Sequence, residues 1–137
     1  MSNILEEQNS SKIFRVIDAN LNRAREGLRV VEDIHRYLHD NKKVGYKLKE
    51  LRHSIRVENF KELLQFRDST NDCLKSSTQS ELQKENIEQI IISNIKRVQE
   101  SLRVLEEIYK TIDTEKSEYF KQLRYTSYTL EKDIFLS

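Results

Sequence analysis

The sequence predicts an all-α protein, a pseudo-twofold helical bundle of two repeated antiparallel helical hairpins. Three observations carry this. Proline is absent and glycine occurs only twice in 137 residues, so the turn punctuation that strands need about every eight to twelve residues is missing. Charged residues make up 34% of the chain, a share that suits long solvated helices. The same helical pattern also appears twice, once in each half.

Ser10 and Ser11 stand where a cap would start the first helix, which runs to about His39 or Asp40 before "HDNKK" breaks the pattern. Its apolar positions, Ile17, Leu21, Ala24, Leu28, Val31, His35 and Leu38, alternate steps of four and three and form one stripe facing a partner. Such a helix is about 40 Å long. A second helix, about 43–57, turns Val44, Leu48, Leu51 and Ile55 inward, and the short apolar piece "FKELLQF" follows. "RDSTNDCLKSSTQSE" is the one long polar stretch and reads as a loop. A third helix, about 85–111, directs Ile91, Ile95, Val98, Leu102, Leu105, Tyr109 and Ile112 inward. The fourth, about 115–134, does so with Phe120, Leu123, Leu130 and Ile134.

The repeat is explicit when Asn20–Arg36 is laid on Asn94–Lys110. Identical pairs are Asn20/Asn94, Arg23/Arg97, Glu26/Glu100, Leu28/Leu102, Arg29/Arg103, Val30/Val104, Glu32/Glu106 and Ile34/Ile108. The second helices agree more loosely, "KELRHSI" against "KQLRYTS", which pairs Arg52 with Arg124 and His53 with Tyr125. One domain over 1–137 is expected, with repeat one at about 11–66, a loop at about 67–84 and repeat two at about 85–135.

The net charge of +1 gives no broad basic field, so neither nucleic acid nor an anionic membrane is an expected partner. The single cysteine, Cys73, fits a reducing compartment, and "MSNILEEQNSS" has no signal-peptide character. No apolar run approaches the roughly 20 residues of a membrane span. A cytoplasmic location is the expectation.

Function is to be sought where polar residues interrupt the apolar stripes. On a wheel of 100° per residue, Asn20 falls inside the apolar arc and Arg23 at its edge, with Gly27 between them. Asn94, Arg97 and Ser101 repeat this. A buried amide or guanidinium without partners costs a few kcal/mol, so each must be paired. Two roles stay open for Asn20 and Asn94: bonding each other to fix helix register, or orienting a ligand. An arginine at the rim of an apolar face beside small residues suits a phosphate or carboxylate. Arg52 and Arg124 either reach the same interior or snorkel from the bundle edge. Glu26, Arg29, Glu32 and their copies, spaced i, i+3 and i+6, read mainly as solvated salt-bridge patterning, with Glu32 and Glu106, nearest the apolar edge, as the weaker site candidates. In the loop, Asp68 and Asp72 beside Arg67 could hold Mg²⁺ and a phosphate, although any turn favours such residues. The chain has no GxxxxGK[ST] or GxGxxG cradle, no Cys/His zinc cluster and no HExxH.

"RVIDANLNRAREGLRVVEDIHRY", "LKELRHSI", "RDSTND", "NIKRVQESLRVLEEIYK" and "FKQLRYTSYTLEKDI" resemble, in order, the helical domain often fused in front of thiamine phosphate synthase. This domain is the atypical hydroxymethylpyrimidine phosphate (HMP-P) kinase family. The resemblance spans about 14–135. One departure is local: Asp72 is followed by Cys73 and Leu74, where the family's acidic loop tends to carry a glycine. The resemblance implies transfer of the γ-phosphate of ATP to HMP-P, giving HMP pyrophosphate, and the synthase as a partner. The residue roles come from position in this chain. Arg23, Arg52, Arg97 and Arg124 are expected on phosphates, and Asn20 and Asn94 on the pyrimidine or a phosphate oxygen. Arg67 and Asp68 are expected as catalytic groups, with Asp68 and Asp72 on Mg²⁺. The rival from another class is a non-catalytic dimerisation or docking module of the synthase. A homodimer through the edge residues Val30, Ile34 and Tyr37 is compatible with either.

Overall fold

The structure is a computed structural model that describes residues 2–78 and 86–136, with residues 2–9 described by backbone alone. Among the described residues it is all-helical, without strands. Helix α1 spans Ser2–Asp33 and passes into a π-helical turn at Ile34–Leu38. Helix α2 spans Lys42–Ser54, the short α3 Phe60–Leu64, α4 Ile87–Tyr109 and α5 Thr114–Leu136.

The contacts set the helix order and directions. Along α1 and the segment after it, Glu32 meets Arg52 and Asp18 meets Arg67, so α2 and its continuation run back along α1. Along α4 and α5, Tyr109 meets Phe120, Glu106 meets Arg124 and Gln99 meets Glu131. These helices form the second antiparallel pair. Helices α2 and α5 are also antiparallel, joined at Lys47–Asp133 and at Tyr119–Ser54. The long α1 and α4 close the ring through the most extensive packing in the molecule.

The predicted stripes build the core. Ile17, Ala24, Leu28 and Val31 of α1 are fully buried against Ile95, Val98, Leu102 and Leu105 of α4, and Leu48 and Phe120 fill the other side. Each such Ile, Leu, Val or Phe side chain contributes about 1.5–3 kcal/mol. Phe120 stacks on Tyr109 with ring centroids 5.4 Å apart. Asn41 caps α2 by accepting from Val44 N at 3.1 Å, and Asn86 caps α4 by accepting from Gln89 N at 2.9 Å.

Several expected boundaries are corrected. Helix α1 begins at Ser2, not at Ser10 or Ser11, because "ILEEQN" consists largely of tolerated helix formers with nothing to stop them. Leu38 is 60% exposed, not inward. The π-helical turn, with its bond from His39 N to Ile34 O, adds a residue to the turn and rotates Leu38 off the stripe. The chain then reverses at Asp40, whose φ of 48° lies in the left-handed region. Ile112 is exposed because α4 stops at Tyr109 and leaves it in the connecting turn. Residues 67–78 form the expected polar loop, while 79–85, including the expected start of the third helix, lie outside the described residues.

Candidate functional site

Most of the expected site residues lie on or beside the inner faces of the four long helices, and the structure gives them unequal surroundings. Glu32, at 1% exposure, takes Arg52 Nε at 2.7 Å on one carboxylate oxygen and Nη2 at 3.3 Å on the other. Arg29 stands 3.9 Å from the same carboxylate. At the matching place in the second half, Arg124 donates from Nε at 3.0 Å and Nη2 at 2.8 Å to Glu106. Its Nη1 donates to the Tyr128 hydroxyl at 3.0 Å. Glu32 and Glu106 are therefore buried counter-charges and not members of a solvated stripe. Arg52 and Arg124 are anchored inside the bundle, so the snorkelling alternative is replaced by an ion pair in each half.

Asn20 and Asn94 also behave alike. Each donates its amide to the carbonyl four residues back on its own helix, Val16 O and Ile90 O, at 2.8 Å. Neither bonds the other, which removes the cross-helix register bond from consideration. The space beside them at Gly27 is occupied. A Cβ there would lie 3.0 Å from Val98 Cγ2 and 3.2 Å from the Asn94 carbonyl oxygen. Gly27 thus permits α1 and α4 to approach closely and leaves no room for a ligand between them. Arg23 and Arg97 are both exposed, and Arg23 has no ion-pair partner among the described residues.

The loop is tied to α1. Arg67 donates to Asp18 Oδ2 from Nε at 2.7 Å and to Oδ1 from Nη2 at 2.8 Å, and this bonding holds the guanidinium further toward its charged form. Phe66 packs on Phe14 one turn away, with ring centroids 5.6 Å apart. This side-on grip leaves the opposite edge of the guanidinium facing away from Asp18, on a side chain 44% exposed. Asp68 accepts from Asn71 N at 3.1 Å and Asn71 Nδ2 at 2.7 Å, and these bonds hold its carboxyl below the usual range. Asp72 accepts from Leu74 N at 3.0 Å. Both aspartates are exposed. No group of three or more His, Cys, Asp or Glu gathers among the described residues.

One cleft, of about 560 Å³, opens elsewhere, between the end of α2 and the first turns of α5. It is lined by Arg56, Val57, Glu58, Lys116, Tyr119 and Phe120 and contains none of the expected site residues.

The description "ThiD2 family" matches residues 15–133, a stretch that includes both ion-paired halves and the loop. The chain belongs to that family. A thiamine-phosphate synthase of Prochlorococcus marinus (strain AS9601) is 41% identical over 124 residues, 90% of this chain and 35% of the relative. One from Thermosynechococcus vestitus is 36% identical over 138 residues, 100% of this chain and 39% of the relative. A third, from Synechocystis sp., is 37% identical over 131 residues, 95% of this chain and 38% of the relative. The chain therefore spans little more than a third of the length of these curated relatives. No solved structure matches it.

Three acidic residues of this ThiD2-family chain, Asp18, Glu32 and Glu106, are partners of arginines that the sequence pattern alone does not pair with them. Glu32 and Glu106 lie at the apolar edge of their helices, and that edge position was the available signal. Asp18 had none, since its partner Arg67 is 49 residues away. No helix among the described residues is long and apolar enough to cross a membrane.

Proposed function

We propose that this chain is a kinase of thiamine biosynthesis that transfers the γ-phosphate of ATP to HMP-P, giving ADP and HMP pyrophosphate. The observation that carries the reading is the ThiD2 match along 15–133 of this chain, beside relatives named thiamine-phosphate synthase. The chemistry of the side chains supports it. Phosphoryl transfer between phosphates needs positioning and positive charge, and a covalent intermediate is not required. The acceptor oxygen of HMP-P is an anion near neutral pH, so a dedicated general base is not required either.

In this reading Arg67 neutralises charge on the transferring group through the edge that Asp18 leaves unused. Arg23 and Arg97 meet phosphates from the exposed rim of α1 and α4, with Asn20 and Asn94 behind them. Arg52 acts from its pair with Glu32, and Arg124 stands in the matching pair with Glu106. Asp68 and Asp72 are the residues that would hold Mg²⁺, which supplies charge neutralisation between nucleotide and acceptor phosphates. The partners are small molecules, HMP-P and ATP, and the setting is the cytoplasm.

The test is nucleoside diphosphate production by the purified chain with Mg-ATP and HMP-P, with free HMP in a parallel sample. Turnover is expected on HMP-P alone. Arg67→Ala is expected to lower it about 100-fold or more, the scale of losing one charge-stabilising group, while helicity stays intact. Well-folded protein without turnover on either substrate would replace the kinase by a docking or dimerisation module of the synthase.

A further inference from the structure

Arg52 and Arg124 occupy matched places in the two repeats, yet their hydrogen bonding is not equivalent. Arg124 spends Nε and Nη2 on one oxygen of Glu106 and Nη1 on the Tyr128 hydroxyl. Its guanidinium carbon also lies 5.1 Å from the Tyr125 ring centroid and 5.8 Å from that of Tyr128. Every nitrogen is engaged, and two rings cover the group. Arg52 instead spreads Nε and Nη2 over both oxygens of Glu32. Its Nη1 has no partner among the described residues, and it is not one of the unpartnered atoms sealed from solvent.

The backbone explains the difference. Helix α5 continues from Arg124 to Leu136, so the next turn brings Tyr128 over the guanidinium. Helix α2 ends at Ser54, two residues after Arg52. The residues matching Tyr125 and Tyr128 are His53 and Arg56, both exposed. The turn that closes one arginine is missing over the other. A guanidinium gripped side-on through Nε and Nη2 keeps a second edge, with its own pair of N–H donors, suited to two oxygens of a phosphate.

We infer that Arg52 holds an oxyanion of the phosphate class through its Nη1 edge, braced by Glu32, whereas Arg124, closed by Tyr128, serves the fold. This rests on the phosphotransfer reading and deepens it, since it says which of two matched arginines meets a substrate phosphate. Pyrophosphate is the probe.

In the full chain, phenylglyoxal modification with and without pyrophosphate, mapped by mass spectrometry, is expected to label Arg52. Pyrophosphate should reduce that labelling several-fold, with Arg124 unlabelled in both samples. Calorimetric titration of variants gives a second readout. Arg52→Lys keeps the charge against Glu32 but loses the planar edge, and should raise the pyrophosphate Kd about tenfold. Tyr128→Phe should leave Kd within about twofold, although it uncovers Arg124. If Arg52 resists the reagent in both samples, the Arg52→Lys titration decides. An unchanged Kd there, or pyrophosphate protection appearing at Arg124, overturns the inference. Turnover on HMP-P without protection of Arg52 removes this assignment and leaves the kinase standing. Protection of Arg52 without turnover does the reverse, and the absence of both discards the two together.

Discussion

A carboxylate buried to the degree of Glu32 is stable only when its charge is answered, and Arg52 answers it on both oxygens. His35 solves the same problem by staying neutral. It is buried within the π-helical turn, where Nδ1 meets Val31 O at 2.9 Å and therefore carries the proton. Burial pushes its pKa down, and the neighbouring His39 adds to the shift against the bond to Val31. The unfolded chain, with a histidine near its usual pKa of about 6.5, then binds the proton more readily than the folded one. The stability due to neutral His35 is complete above that value and is lost as pH falls from it toward the lowered folded pKa. His35→Tyr, which installs the residue found at the matching Tyr109, should flatten this slope. Thermal melts of both proteins between about pH 8 and pH 5.5 decide it, and equal slopes would remove His35 as the titrating group.

Where two helices touch, the smallest side chain sets how closely they approach, and the two glycines of this chain face opposite situations. Within a helix, Gly→Ala ordinarily gains about 1 kcal/mol from propensity. At Gly45 the nearest atoms to a new Cβ are those of Arg36 at 3.9 Å, an ordinary contact, so Gly45→Ala should stabilise by up to that amount. At Gly27 the new Cβ would press on Val98 and on the backbone carbonyl of Asn94, which cannot yield as a flexible side chain can. Overpacking of about 1–3 kcal/mol outweighs propensity there, and Gly27→Ala should destabilise. Urea unfolding of the two variants measures both signs, and stabilisation of Gly27→Ala would mean that α1 and α4 do not meet there. The period of apolar residues located all four long helices and nearly every core position, because burial of one face is a property of the single helix. It misplaced Leu38 and Ile112, where a π-helical turn and a helix end changed the phase. Of the candidate site, the sequence offers the arginines, asparagines and loop aspartates but not what the arginines pair with. Their carboxylate partners come from other helices, and the charge spacing around Glu32 and Glu106 looks the same whether it faces water or a buried guanidinium.

For the whole molecule, the most extensive packing joins helices on opposite sides of the connecting loop. Helix α1 precedes the loop and α4 follows it, and the same holds for the α2–α5 contacts at Lys47–Asp133 and Tyr119–Ser54. Residues 68–78 are exposed throughout and make few bonds outside their own turn, so a protease reaches this loop while the helices resist it. Brief trypsin treatment is therefore expected to cut after Lys75 before any helical site. The nicked chain should keep its circular dichroism and elute as one species, although a denaturing gel resolves two fragments. Its stability acquires a term that the intact chain lacks, because unfolding now releases two molecules instead of one. The Tm of the nicked protein should rise with concentration more steeply than that of the intact protein under the same conditions. Fragments that separate without denaturant would show that chain connection, and not the face between α1 and α4, holds the two halves together. The matched ion pairs of the two hairpins would then be independent features of separate units.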